Sequence, residues 1–185
     1  MLTWNLDPDH TVAEFTVRHM MVTWVHGQFN RISGILVFDP ANTSASSLEV
    51  EIDAAGLYTG IEKRDDHLRS PDFLDVEKYP RITFKSTYVC PAGLDHAKVT
   101  GDLTIRDITR PVILDVRWAG PSHFVDDNET FTTYGFRARA EVNREDFGMT
   151  WNMEMENKGF MVGKHVFITL NSEADLVSGE KPSGE

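Results

Sequence analysis

The run Tyr134-Gly135-Phe136-Arg137-Ala138-Arg139-Ala140-Glu141-Val142 places Tyr134, Phe136, Ala138, Ala140 and Val142 at every second position, with Arg137, Arg139 and Glu141 between them. Successive side chains of a strand point to opposite faces, so a period of two predicts one apolar and one solvated face. Wound as a helix, the same residues would spread around the axis. The segment reads as a long, half-buried strand.

The pattern recurs outward from it in both directions. Ala13, Phe15 and Val17 alternate with Glu14, Thr16 and Arg18; Leu48, Val50 and Ile52 alternate with Glu49, Glu51 and Asp53; Val112, Leu114, Val116 and Trp118 alternate with Asp115 and Arg117. Further strands are expected over residues 34–38, 81–88, 98–105 and 165–172, making about eight in all. Turn-forming residues separate them: Asp39-Pro40-Ala41-Asn42, Pro91-Ala92-Gly93, Ala119-Gly120-Pro121 and Val125-Asp126-Asp127-Asn128. Antiparallel strands in this number must stack as two sheets or close on themselves, and closure removes the exposed edges. A closed antiparallel barrel is therefore expected.

Two segments break the alternation. Residues 59–70 are dense in charge and are followed by Pro71, which predicts a short helix. After His19, the residues Met20, Met21, Val22 and Trp24 predict a second short helical piece, a plug of flexible and bulky side chains.

The chain has 185 residues, enough for one self-sufficient core, and residues 1–176 are expected to form a single domain followed by a loose polar tail at 177–185. The formal net charge of -11 disfavours nucleic acid and anionic membrane faces. Cys90 is the only cysteine, which excludes an intramolecular disulfide and multi-thiolate zinc sites and fits a reducing compartment. The first ten residues hold neither a basic start nor a long apolar run, so no signal peptide or transmembrane span is expected and the location expected is cytoplasmic. Asn42-Thr43-Ser44 and Asn128-Glu129-Thr130 fit the glycosylation pattern, which has no meaning in such a compartment.

No catalytic residue is identified. Nucleophile elbows, phosphate-cradling glycine loops and paired histidine spacings are all missing from the sequence. His10, His19 and His67 are the candidates for a shared metal, but three scattered histidines read better as hydrogen-bonded structural groups, and no metal or cofactor is expected. Asp65, Asp66, Asp72 and Asp75 read as caps and solvated charges rather than an acid-base pair. The Asn143-Arg144-Glu145-Asp146-Phe147-Gly148 segment reads as a tight turn with Arg144 in a structural ion pair. The inward faces mix large residues (Phe15, Phe38, Phe84, Phe136, Trp118) with small ones (Ala13, Gly101, Ala138, Ala140). Such alternation suits either a filled core or an aromatic-lined tunnel, and the residues alone leave both open.

Ordered blocks along almost the whole chain resemble the YceI-like family of lipocalin-like polyisoprenoid-binding proteins. They are Trp4-x-Leu6-Asp7-Pro8-x-His10-Thr11 with Phe15-x-Val17-x-His19-Met20-Met21; Gly27-x-Phe29; Gly34-x-Leu36-x-Phe38-Asp39-Pro40; Arg64-Asp65-x-His67-Leu68-Arg69-Ser70-x-Asp72-Phe73; Tyr79-Pro80-x-Ile82-x-Phe84-x-Ser86; Gly101-Asp102-Leu103-Thr104-Ile105-Arg106; Thr109-Arg110-Pro111-Val112; and Asn143-Arg144-x-Asp146-Phe147-Gly148. The resemblance implies an all-β, lipocalin-like barrel of eight antiparallel strands with short helices near its mouth. It also implies a long apolar tunnel for isoprenoid lipids such as a polyprenyl chain or a quinone tail. Members of the family are commonly dimeric, so a homodimer is expected, and many are exported to the periplasm. Thr11 stands where serine is usual, Asp107 stands where glycine is usual, and an export signal is not seen.

Family parity turns Phe15, Val17, Leu36, Phe38, Val50, Ile52, Phe84, Leu103, Leu114, Phe136, Ala138, Val166 and Ile168 inward, and these are expected to touch the ligand. His19, Arg64 and His67, with Asp65, are expected near the mouth, as anchors of the helix or contacts to a headgroup. The leading expectation is an isoprenoid carrier or store without covalent chemistry. The alternatives are an enzyme using His67 or Asp65 on a similar substrate, and a packed barrel serving as a stress or interaction protein.

Overall fold

Each strand expected from alternation forms. The computed structural model describes residues 1–126, 129–155 and 159–177. Among these are β1 (Leu2–Leu6), β2 (Val12–His19), β3 (Thr23–Phe29), β4 (Ile32–Phe38), β5 (Ser47–Asp53), β6 (Leu57–Tyr58), α1 (Glu62–Arg69), β7 (Arg81–Pro91), β8 (His96–Ile105), β9 (Ile108–Asp126), β10 (Glu129–Asn143) and β11 (Val162–Leu176).

The strands make one antiparallel sheet that closes where β1 pairs with β11. Three places in the wall are shared by two successive strands. β1 and β2 both lie along β11, β4 and β3 lie along β1 and β2, and β5 and β6 lie along β4 and β3. With β7 to β11 the ring has eight positions, so the expected count is met although three of its staves are broken. The breaks at residues 7–11, 30–31 and 54–56 re-aim the wall, and on the side away from β2 the strand β3 is covered by β6 at Gln28 and Phe29.

Two short-range expectations are corrected. Residues 20–24 form no helical plug: β2 turns back on β3 through Met20, Met21 and Val22, with His19 opposite Thr23, and all three turn residues are exposed. The β-branched and aromatic run Val22-Thr23-Trp24-Val25 favours a strand, and its alternation was masked by the two methionines. Ala119-Gly120-Pro121 is no reversal either, because β9 continues through it to Asp126. Gly120 takes φ +129° opposite an irregularity between Thr133 and Gly135 of β10, which makes the dipeptide a bulge. Beyond the bulge the β9–β10 ribbon extends past its other neighbours, with Phe124 stacked on Phe131 at 4.9 Å. Asp127 and Asn128 of the expected turn, and residues 178–185 of the expected tail, lie outside the described residues.

The two ends of the barrel are closed differently. At the lower end, where β4 ends and β5 begins, Phe38 is packed edge-on by Trp118, Tyr134 and Phe136, each at 5.3 Å. Trp4 joins this cluster and donates from Nε1 to the Phe38 carbonyl at 3.2 Å. The upper end, where β2 ends and β11 begins, is roofed by α1 and the segments after it and after β10. The helix is short and highly charged, so its own propensity cannot hold it. It is tied instead by Asp65, buried at 4 % exposure, which accepts from the backbone N–H and the hydroxyl of Thr59.

Close packing inside the wall depends on missing side chains at Gly27, Gly34 and Gly101. A Cβ at Gly101 would lie 2.4 Å from Cζ of Phe84 and 2.6 Å from the Lys85 carbonyl oxygen. Gly101→Ala should therefore lower the unfolding free energy by about 1 to 3 kcal/mol through overpacking. Urea denaturation measures this, and an unchanged midpoint would show that the Phe84 ring moves freely.

Candidate functional site

The inward side chains do not fill the barrel. A cavity of about 200 Å³ occupies its upper part, and the surface facing it is apolar. Phe15 and Val17 of β2, Val50 and Ile52 of β5, Phe84 of β7, Leu103 of β8, Leu114 of β9, Ala138 of β10, and Val166 and Ile168 of β11 all line it. A void of about 50 Å³ lies below, against Leu36, Phe38, Trp118 and Phe136. Leu48, Ala138 and Leu170 line both spaces and form the waist between them. Four aromatic side chains thus crowd the lower end, while in the upper part aliphatic residues together with Phe15 and Phe84 leave a space between them.

Sequence reasoning missed the roof. Leu68 of α1, the following Phe73 and Leu74, and Met149 all line the cavity. The signal was present, because Leu68, Phe73 and Leu74 are isolated apolar residues in a charged stretch, but only the tertiary fold shows what they cover.

Arg144 also borders the cavity, and the expected ion pair is not what holds it. Its guanidinium donates from Nε to the Gly163 carbonyl at 2.9 Å, from one terminal nitrogen to the carbonyls of Met149 and Trp151, and from the other to that of Val162 at 3.3 Å. The residue is 3 % exposed and forms no ion pair among the described residues. Burial pushes its pKa down, against the opposing charge of Glu145. Four carbonyls converging from the roof do the work that a carboxylate was expected to do.

His19, Arg64 and His67 stand outside both cavity walls. His19 ends β2 beside the exposed turn, opposite Thr23 and Val162. Arg64 donates from Nε to the Thr59 hydroxyl at 2.7 Å and from a terminal nitrogen to the Thr59 carbonyl at 2.8 Å, so it anchors the helix. His67 pairs through Nε2 with Asp72 at 2.9 Å and meets Trp151 edge-on at 4.5 Å.

The three histidines considered for a metal are not brought together. His10 instead lies with Asp7 and Glu173 at the corner between β1 and β2, where their ligand-type atoms fall within 4.8 Å of one another. His10 Nδ1 and an Asp7 carboxylate oxygen are 2.6 Å apart. This hydrogen bond is the main reason that Asp7 is held below the usual carboxylate range and His10 above the usual imidazole range.

A family model described as the YceI-like domain matches residues 4–174. A UPF0312 protein of Pectobacterium carotovorum is 37% identical over 150 residues, spanning 81% of this chain and 76% of that one. Among solved structures, BcnA of Burkholderia cenocepacia is similar with a TM-score of 0.79 at 24% identity, over 91% of this chain and 98% of that one. A polyisoprenoid binding domain from Saccharophagus degradans, implicated in plant cell wall breakdown, has a TM-score of 0.66 at 13% identity, over 95% and 99% of the two chains. Both structural likenesses bear on the fold.

Two outcomes are expected at these positions. Arg144→Met should destabilise the protein by roughly 3 to 5 kcal/mol, because several roof carbonyls lose their donor, and Arg144→Lys should rescue little, having fewer donors and no planar fork. Equilibrium denaturation of both variants checks this, and wild-type stability of the lysine variant would refute the forked role. For the Asp7–His10 pair, the raised His10 pKa contributes stability below about pH 6.5 that is lost as pH rises through the folded value. The lowered Asp7 pKa contributes stability above about pH 3.9 that is lost as pH falls through the folded value. The stability difference between wild type and His10→Gln should therefore be largest between those limits and vanish in mildly alkaline buffer. A difference that does not change with pH would rule the pair out as its source.

Proposed function

The chain belongs to the YceI-like family, and on that footing we propose that its barrel binds, stores or carries one long apolar isoprenoid, either a polyprenyl chain or the tail of an isoprenoid quinone. The observation that carries this reading is the apolar cavity of about 200 Å³. An apolar space offers water no hydrogen-bond partners, so it stays dry or takes apolar matter. Left empty, a space of that size forgoes packing worth on the order of 5 kcal/mol. A lipid chain recovers that loss.

The similarity to a polyisoprenoid binding domain supports the class of ligand. Each five-carbon unit that enters gains about 3 to 4 kcal/mol from burial, against a total association cost of about 4 to 15 kcal/mol. Chain length then sets affinity, and the cavity-lining residues from Phe15 to Ile168 act through shape. His67 and Asp65 are engaged by Asp72 and Thr59, which favours binding over acid-base chemistry. A homodimer working in the cytoplasm is part of the proposal. No helix among the described residues is long and apolar enough to cross a membrane.

Native mass spectrometry of the purified protein, followed by organic extraction, should find one isoprenoid per chain. Ala138→Phe should close the waist, weakening long prenyl chains at least tenfold while sparing short ones that remain in the upper space. A protein that is empty and takes up no added prenyl chain would end this reading.

A further inference from the structure

We propose that the upper rim of the barrel is a docking surface for a neutral phospholipid bilayer. The inference rests on the lipid-binding reading above, for it supplies the surface at which such a cargo would be exchanged. The Phe38 aromatic cluster packs the lower end, and the cavity lies in the upper part, where Val17 and Val162 line it. The upper end also presents Met20, Met21, Val22 and Trp24 on the β2–β3 turn, and Met153 and Phe160 on the segment before β11, all exposed. The two groups adjoin, because the Met20 N–H donates to the Met161 carbonyl at 2.7 Å and the Met161 N–H to the Met153 carbonyl at 3.1 Å.

Three features say that this apolar rim meets lipid. Met20 and Met21 have φ of +50° and +61°, a conformation that glycine and asparagine adopt readily and methionine does not. Folding alone would favour other residues there, and Val22 at 78 % exposure gains nothing from the core. A local rule broken at exposed positions marks a function outside folding. Second, Trp24 packs edge-on against Phe167 at 5.6 Å and carries the Arg18 guanidinium 4.1 Å above its ring, an amphipathic aromatic of the kind that sits at headgroup level. Third, the net charge of -11 sets the sign of the partner: an anionic surface is repelled, so a zwitterionic one fits.

The test uses the full chain and vesicles of phosphatidylcholine brominated in the acyl chains, which quench tryptophan on insertion. Trp4 and Trp118 are buried at the closed end, so quenching reports the upper rim. Saturable quenching is expected. The double variant Met20→Asn, Met21→Asn should fold at least as well, because asparagine suits the left-handed turn, and should bind these vesicles at least tenfold more weakly. Absence of quenching, or unchanged binding by the variant, would overturn the proposal. So would binding confined to phosphatidylglycerol vesicles and abolished by salt. A dimer that the same substitutions dissociate, with no vesicle binding, would assign the rim to a second copy of the chain instead. The readout needs no cargo: vesicle binding by a protein that takes up no isoprenoid would leave the docking surface standing and remove the carrier reading.

Discussion

The backbone of one strand edge governs this architecture. β11 offers a long edge on the side away from β10, and unpaired backbone groups along it would be costly and would invite association. β2 covers the part from Val162 to Asn171 and β1 covers the part from Ala174 to Leu176. The corner between them is paired as well: the Asp7 N–H donates to the Glu173 carbonyl at 2.9 Å, and the Glu173 N–H to the His10 carbonyl at 3.3 Å. The Asp7–His10 hydrogen bond braces this corner, so the wall changes direction while its ladder continues.

Closure fixes which face of every strand is inside, and from there side-chain size decides what the interior contains. Phe38, Trp118, Tyr134 and Phe136 meet at one end and exhaust the space there. Higher up, β10 presents Ala138 and Ala140 where it could have presented larger residues, and the other lining side chains do not reach across. The cavity is therefore a property of the same alternating sequence that makes the wall. It needs no special element, only small residues at two inward positions of the longest alternating run.

This explains how much could be read from the sequence. Period-two alternation is local, so the eight staves, the closed barrel and the inward parity of Phe15, Val50, Ile52, Phe84, Leu103 and Ala138 were legible. The charge-dense run before Pro71 marked the helix, and the family blocks added the tunnel. The turn at Met20 and Met21 was not legible, because two left-handed methionines give no turn signal. The bulge at Gly120 was mistaken for a reversal since the same dipeptide serves both, and only the register against β10 separates them. Broken staves escaped notice because β1 is short and its continuation in β2 is a fact about a distant strand, β11. The positions of His19, Arg64 and His67 relative to the cavity were equally unreadable, depending as they do on how α1 folds over the end.

Arg144 shows how the protein keeps a polar roof from spoiling an apolar interior. The carbonyls of Met149 and Trp151 in the irregular segment after β10, and of Val162 and Gly163 at the start of β11, all turn to the Arg144 guanidinium. Facing an apolar cavity, unpaired carbonyls would each cost about 1 to 3 kcal/mol. Arginine carries five N–H donors in a planar fork, enough to gather them on one side chain. A carboxylate partner would have occupied those donors and left the carbonyls bare, which is why an ion pair would fail here. The charge that remains is solvated by the carbonyl dipoles, at the cost of the downward pressure that burial puts on its pKa. Polar satisfaction is thus completed within the roof itself, and the space beneath it stays apolar.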